Sequence, residues 1–221
     1  MDVLITGVIN KFDEELAAAF VGGGYRVFAV GSEPLDGVTL IPSGLNEADR
    51  LREHTASIDL YIDVTDVRSP ADCFNVRTGL DAGVIRGLYD ANVIRPMEML
   101  ETFLPFLEAG GGKRLCFLTS AQASINETRY TGGYGYNMSK AALHNFLQIT
   151  RNALAPKGYT MRVFDPCLSG ETAADKITAE LSAQAAFNYF VRRRGIERGD
   201  EKRDDEGTLV FRDAFGRQHT W

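Results

Sequence analysis

Val3-Leu4-Ile5-Thr6-Gly7 and Leu115-Cys116-Phe117-Leu118-Thr119-Ser120 are runs of consecutive apolar residues that break off at small polar ones. A strand that is apolar on both faces belongs in a sheet covered on both sides, the habit of parallel sheets. Similar strands are predicted at Tyr25–Val30, Val38–Ile41, Ile58–Val64 and Thr160–Phe164, with Thr208–Arg212 as a seventh. Helical spacing fills the gaps. In Asp13–Val21 the residues Leu16, Ala17, Phe20 and Val21 share a face, and Gly22-Gly23-Gly24 ends the run. Asn46 is expected to cap a helix reaching about His54. Ala82–Leu107 reads as one long helix that Pro96 should kink, or in which it marks a closely packed bend. Tyr134–Leu154 and Ala173–Arg193 complete the set. Strand and helix in alternation predict an α/β fold: a Rossmann-type, doubly wound parallel sheet of six to seven strands with helices on both faces.

The 221 residues, 44% of them hydrophobic, are enough for one such domain spanning 1–221, with about 169–206 on its substrate side. Against 30 acidic residues stand 24 basic ones, a formal charge of −6, which disfavours a nucleic-acid partner. No apolar run approaches the ~20 residues of a membrane span. The N-terminal residues lack the basic and cleavage-site features of a signal peptide. Cys73, Cys116 and Cys167 are scattered, which fits a reducing cytoplasm, and Cys116 reads as a small core residue. His54, His144 and His219 make no zinc-like spacing with them, so no metal is expected.

The sharpest chemical signal is Tyr136-Asn137-Met138-Ser139-Lys140. Positions i and i+4 share a helix face, so a phenol and an ammonium meet there. A cation beside a tyrosine favours the phenolate, and a tuned tyrosine exchanges a proton with a carbonyl or carbinol oxygen. The pair opens a helix that follows the strand ending at Leu118-Thr119-Ser120, and the C-terminal edge of a parallel sheet is where such folds bind ligands.

On these residues the chain resembles the short-chain dehydrogenases/reductases, from Val3 to about Leu168. Tyr136 and Lys140 match the family's YxxxK, Ser139-Lys140-Ala141-Ala142-Leu143 its SKAAL, Ser120 its serine and Asn92 its asparagine. Asp165-Pro166-Cys167-Leu168 stands where the family has a PG turn. The resemblance implies Tyr136 as acid/base, Ser120 orienting the substrate oxygen, and Asn92 holding a relay water. It implies that Lys140 lowers the tyrosine pKa and touches a nicotinamide ribose. It further implies an NADP or NAD cofactor near Thr6, Gly7, Ile9, Lys11, Phe12, Ser32, Val64, Tyr136, Lys140, Pro166 and Leu168, and a homodimer or homotetramer built on the two long helices.

The cofactor motifs depart from the family pattern. Its TGxxxGxG aligns with Thr6-Gly7-Val8-Ile9-Asn10-Lys11-Phe12-Asp13, so Lys11 and Asp13 replace two glycines. Those glycines let a backbone approach a pyrophosphate at a helix N-terminus. The Asp13 carboxylate should crowd and repel a phosphate. The family's NNAG is Asp63-Val64-Thr65-Asp66 here. After the second strand, Ser32 stands where NAD-preferring relatives carry an aspartate, which leans toward NADP, while Glu33 keeps NAD open.

Several features have a plain structural reading beside the functional one. Arg192–Glu206, six basic and six acidic residues, reads as a solvated loop, with a mobile lid or partner contact as the alternative. Tyr130, Tyr134 and their neighbouring glycines read as a flexible loop or as a substrate-facing wall. Trp221 anchors the tail in the fold or at an interface. Three function classes follow. The first is an NAD(P)-dependent oxidoreductase acting on a small-molecule carbonyl/alcohol pair. The second is a redox-neutral isomerase or dehydratase. The third is a non-catalytic subunit of a hetero-oligomer.

Overall fold

The computed structural model describes residues 1–168, 177–192 and 205–221. Its strands are β1 (Asp2–Thr6), β2 (Arg26–Gly31), β3 (Val38–Pro42), β4 (Leu60–Asp63), β5 (Arg114–Leu118), β6 (Thr160–Asp165), β7 (Phe211–Asp213) and β8 (Gln218–His219). They form one sheet in the order β3-β2-β1-β4-β5-β6-β7-β8. Every described pairing is parallel except that of β7 with β8. The expected doubly wound sheet is present, and the count of six to seven strands is corrected to eight among the described residues. The added β8 is two residues long and turns back antiparallel after β7, too short to register as a pattern in sequence. The predicted Thr208–Arg212 strand lies at Phe211–Asp213, and Ile58–Val64 shortens to Leu60–Asp63.

The helices are α1 (Lys11–Gly22), α2 (Glu47–Arg52), α3 (Ala82–Tyr89), α4 (Arg95–Ala109), α5 (Tyr134–Leu154) and α6 (Ala179–Val191). Alternate strand residues feed two cores. Leu4, Phe28, Tyr61 and Phe117 meet Phe103 of α4 and Leu143 and Leu147 of α5. Val3, Ile5, Ile62 and Leu118 meet Leu16 and Phe20 of α1 and Phe190 of α6. Phe20 is fully buried and packs edge-on to Phe187 at 4.9 Å. Burying one such ring contributes about 1.5–3 kcal/mol.

Three expectations about helices are corrected. Ala82–Leu107 is not one α-helix: α3 and α4 are joined by a π-helical turn, Asp90–Ile94. Pro96, at the start of α4, has no N–H to give the carbonyl four residues back, that of Asn92, and the wider turn accommodates the ring. Asn46 does not cap α2 with its side chain, because its φ of 67° is left-handed; instead Glu47 accepts the Gly44 N–H at 3.0 Å. The last predicted helix, Ala173–Arg193, begins at Ala179 behind a Thr178 cap, while its residues 173–176 lie outside the described residues.

The Arg192–Glu206 stretch is also corrected at its far end; residues 193–204 lie outside the described residues. Asp205 is buried and receives two bonds from Arg212, at 2.5 and 2.7 Å. Glu206 binds Arg114 and Arg162. Arg114, Arg162 and Arg212 stand on β5, β6 and β7 and are all buried, so these two carboxylates offset charge that would otherwise be costly inside the fold. Trp221 packs on His144 and Phe211, at 4.8 and 5.9 Å, as an anchor within the fold. Among the described residues no helix is long and apolar enough to cross a membrane.

Candidate active site

The sheet order reverses between β1 and β4, and the crevice beyond their C-terminal ends is the ligand position of such sheets. Gly7 makes the turn out of β1 at φ +83°, where a β-carbon would lie 2.4 Å from Thr65 Oγ1. This close approach brings the segment after β4 under the start of α1.

Tyr136 enters from the first turn of α5. The α5 N-terminus is held from outside: Asp72 accepts the N–H groups of Gly135 and Tyr136 at 3.0 and 2.8 Å. The Tyr136 ring is buried, and its hydroxyl donates to Asp66 Oδ1 at 2.6 Å and accepts from Arg68 Nη2 at 2.7 Å. The Arg68 guanidinium also lies 3.9 Å from the ring centroid. Lys140, fully buried one turn later, donates to the Thr65 carbonyl at 2.6 Å and pairs with Asp66 Oδ1 at 3.2 Å. Ser120 follows β5, caps the short 3₁₀ turn Ala121–Ala123 through Gln122 N–H at 3.2 Å, and favours ionisation of the Tyr136 phenol.

The structure therefore brings Ser120, Tyr136 and Lys140 together. It corrects the electrostatics expected of them. Burial, and then the Asp66 carboxylate, push the Tyr136 phenol well above its ordinary value, although Arg68 and Ser120 oppose this. The Lys140 charge faces Asp66, and its Nζ stands 6.0 Å from the Tyr136 ring centroid. Burial would raise Asp66, but Lys140, Arg68 and the Tyr136 hydroxyl together hold it below the usual carboxylate range.

Asn92 is buried in the π-helical turn, and its side chain is engaged within the protein. Its amide accepts the Val67 N–H at 2.9 Å and donates to the Val67 carbonyl and to Ser139 Oγ, at 2.8 and 3.2 Å. It thereby pins the segment that carries Asp66 and Arg68. Neither of those two was singled out as a site residue in sequence. His144 was missed as well: it bonds Thr119 beneath Ser120, and burial followed by Lys140 pushes it down to about 3, so it stays neutral.

The expected cofactor residues divide. Thr6 is buried and donates to Asp63 Oδ2 at 2.8 Å, and Phe12 and Val64 are core side chains, so only their main chain faces a ligand. Lys11 is turned to solvent and pairs with Glu14 and Glu15 at 3.2 and 2.9 Å. Ile9, Ser32 and Leu168 are exposed, while Pro166 is buried and its carbonyl accepts from Ser182 at 2.7 Å.

Asp13 does not protrude as expected. It is fully buried, and Oδ2 accepts the N–H groups of Ile9 and Asn10 at 2.9 and 3.0 Å. Asn10 Oδ1 in turn accepts from Phe12 and Asp13 at 2.9 and 3.3 Å. The amides that such a helix start offers to an anion are thus held by the chain itself. Burial, and to a lesser degree Asp66 and Asp63, raise Asp13 to about 7, and its Oδ1 has no hydrogen-bond partner.

Beside Tyr136 opens a cleft of about 380 Å³ lined by Arg68, Ser69, Asp72, Gln122 and Tyr130. Tyr130 donates no wall by chance: Gln122 Nε2 bonds its hydroxyl at 3.0 Å, and Gln122 Oε1 accepts from Arg68 at 3.2 Å. Gly132 and Gly133 complete that side, so the glycine- and tyrosine-rich segment before α5 faces the cleft. Among the described residues no group of three or more His, Cys, Asp or Glu is placed to hold a metal ion.

The whole chain superimposes on solved structures. One is a carbonyl reductase from Pseudomonas aeruginosa in complex with NADP, at TM-score 0.78 and 22% identity, covering 100% of this chain and 99% of that one. Another is an NADPH-bound carbonyl reductase from chicken fatty liver, at TM-score 0.79 and 15% identity, covering 100% and 98%. The fold is that of the short-chain dehydrogenases/reductases. Within this fold a protein assigned as a short-chain alcohol dehydrogenase from Burkholderia multivorans matches at TM-score 0.79, 18% identity, and 100% and 99% coverage. In sequence, the C-signal protein of Myxococcus xanthus is 30% identical over 78 residues, which are 35% of this chain and 47% of that protein. The matched stretch thus spans about half the length of that curated relative. No protein-family model matches the chain.

Proposed function

We propose that this chain is an NADP(H)-dependent oxidoreductase that interconverts a small-molecule carbonyl and alcohol, with Tyr136 as acid/base. The observation that carries the reading is the Tyr136 hydroxyl beside a cleft at the C-terminal sheet edge, with Ser120 and Lys140 around it. The NADP-bound carbonyl reductases of the same fold support it.

A dinucleotide held there would supply or accept the hydride. The residues of this chain handle the oxygen. Ser120 and Tyr136 hydrogen-bond it, and Tyr136 exchanges the proton. Arg68, a further donor at the same hydroxyl, offsets negative charge that develops there. Protonation of Asp13, whose pKa is raised to about 7, removes a negative charge from the first turn of α1, where a phosphate would lie. Ser32, exposed beyond β2, leaves room for a 2′-phosphate.

One domain over 1–221 accords with the single sheet; of its expected substrate side, 169–206, residues 169–176 and 193–204 lie outside the described residues. A homodimer or homotetramer is supported by Ile94, Met97, Met138 and Ile149, which α4, α5 and the π-helical turn leave exposed. Leu88 of α3 and Val93, Met99, Leu100, Leu143 and Leu147 of those helices are buried within the chain. A cytoplasmic setting accords with Cys73, an exposed free thiol.

A second reading, a redox-neutral isomerase or dehydratase or a non-catalytic subunit of a hetero-oligomer, is favoured by one observation: Asp13 already holds the Ile9 and Asn10 amides. The deciding experiment follows NADPH consumption with a series of small aldehydes and ketones, in the native chain and in Tyr136→Phe. The oxidoreductase reading expects turnover that falls about 100-fold or more in the variant while NADPH binding persists. Equal turnover in both proteins removes Tyr136 from the chemistry.

A further inference from the structure

We infer that Asp66 is a positioning residue for Tyr136: it holds the phenol proton and is the group through which Lys140 acts on the tyrosine. The inference deepens the proposed reaction and rests on that reading for its catalytic consequence, but not for the contact itself.

The geometry is a chain of three groups meeting at one oxygen. Asp66 Oδ1 accepts from the Tyr136 hydroxyl at 2.6 Å and pairs with Lys140 Nζ at 3.2 Å. Asp66 Oδ2 takes Arg68 Nε at 3.3 Å, while Arg68 Nη2 returns to the Tyr136 oxygen at 2.7 Å. Both carboxylate oxygens are therefore engaged, and the Tyr136 oxygen has one donor and one acceptor. The segment is not free to drift, because Asn92 grips both polar groups of the Val67 main chain between Asp66 and Arg68.

The charged groups facing the phenol come from every side of the site. Asp66 and Arg68 come from the segment after β4, Lys140 from the next turn of α5, and Asp72 from beneath the Gly135 and Tyr136 amides. Asp165, at the end of β6, acts at longer range on Arg68. Among them Asp66 alone accepts a bond from the hydroxyl. A carboxylate acceptor at that distance opposes ionisation of the phenol, which two nearby cations would otherwise favour. Burial of the ring acts in the same sense as Asp66.

The consequence is a proton path of two hydrogen bonds. In alcohol oxidation the substrate hydroxyl proton passes to the Tyr136 oxygen as the Tyr136 proton passes to Asp66 Oδ1. The hydride lost from carbon reduces the NADP of the proposed reaction. The substrate loses one proton and one hydride, Asp66 gains the proton, and Tyr136 ends as it began. Carbonyl reduction runs the same path backwards. Tyr136 conducts without accumulating as a phenolate, and Asp66, partly open to solvent, exchanges its proton there.

The test is the full chain carrying Asp66→Asn, with the Tyr136 ring resonance followed by NMR through alkaline pH and assigned by its loss in Tyr136→Phe. The inference expects the Tyr136 titration to fall by more than about one pH unit in Asp66→Asn, and Asp66→Glu to return it toward the native position. It also expects the pH profile of alcohol oxidation in Asp66→Asn to gain an alkaline limb that follows the lowered titration. If Asp66→Asn does not fold, Asp66→Ser, which removes the carboxyl with less demand on the pocket, is read in the same way. An unmoved Tyr136 titration in a folded variant overturns the inference, whether or not aldehydes and ketones are reduced. A shifted titration in a chain that turns over none of them upholds the Asp66 contact and rejects the oxidoreductase reading.

Discussion

Asn10 and Asp13 cap each other across the first turn of α1: Asn10 Oδ1 takes the Asp13 N–H at 3.3 Å, and Asp13 Oδ2 takes the Asn10 N–H at 3.0 Å. This reciprocal box, with Ile9 added at 2.9 Å, leaves the helix start satisfied without a bound anion. It also places a carboxyl in the core with one oxygen unpartnered.

That carboxyl ties stability to pH. Its native pKa of about 7 lies above the ordinary 3.8, so between those values the native state holds a proton that the unfolded chain has released. The Asp13 contribution to stability is therefore complete below 3.8 and is lost as pH rises through about 7. Asp13→Asn keeps an acceptor for the Ile9 and Asn10 amides and does not titrate. Urea unfolding at ~pH 5 and ~pH 8 should show a smaller loss of stability in Asp13→Asn than in the native chain.

Removing the carboxyl altogether should favour the dinucleotide. Asp13→Gly frees the Ile9 and Asn10 amides and removes negative charge near the phosphate position. NADPH affinity by calorimetry is expected to rise about tenfold, or ~1.4 kcal/mol, with the gain largest above the Asp13 titration. An unchanged affinity would mean that the phosphate does not meet the first turn of α1.

Gly7 gives a prediction that is independent of cofactor. At φ +83° its β-carbon would press on Thr65 Oγ1 at 2.4 Å and Thr65 N at 2.9 Å. Gly7→Ala should cost about 1–3 kcal/mol in chemical denaturation and disturb the Asp63–Arg68 segment. A neutral Gly7→Ala would show that this turn is looser than described.

Much of this site was legible in the sequence, for physical reasons. Tyr136 and Lys140 share a helix face by spacing alone, and α5 has the bounds predicted from its pattern, Tyr134–Leu154. The strands that carry Thr6 and lead to Ser120 are short apolar runs in a chain otherwise rich in helix periodicity. What escaped depends on contacts between distant segments. Asp66 and Arg68 sit in an irregular stretch, and their meeting with Tyr136 spans about seventy positions that no local pattern encodes. Asp13 was read as a charge facing a phosphate, whereas the helix start turns it inward onto the Ile9 amide. Arg114, Arg162 and Arg212 lie on predicted strands, but their burial and pairing with Glu206 and Asp205 depend on contacts between distant segments.

The central claim is that this crevice takes NADP(H) and works through Tyr136, and calorimetric titration of NADPH into the native chain tests it most directly. At ~pH 6, with Asp13 mostly protonated, binding at about micromolar strength is predicted, weakening as pH rises, with ~2.7 kcal/mol of stabilisation at one hundred times Kd. No heat and no shift in thermal unfolding up to ~1 mM NADPH, at ~pH 6 and at ~pH 8, would contradict the account and leave the self-capped start of α1 as a closed site.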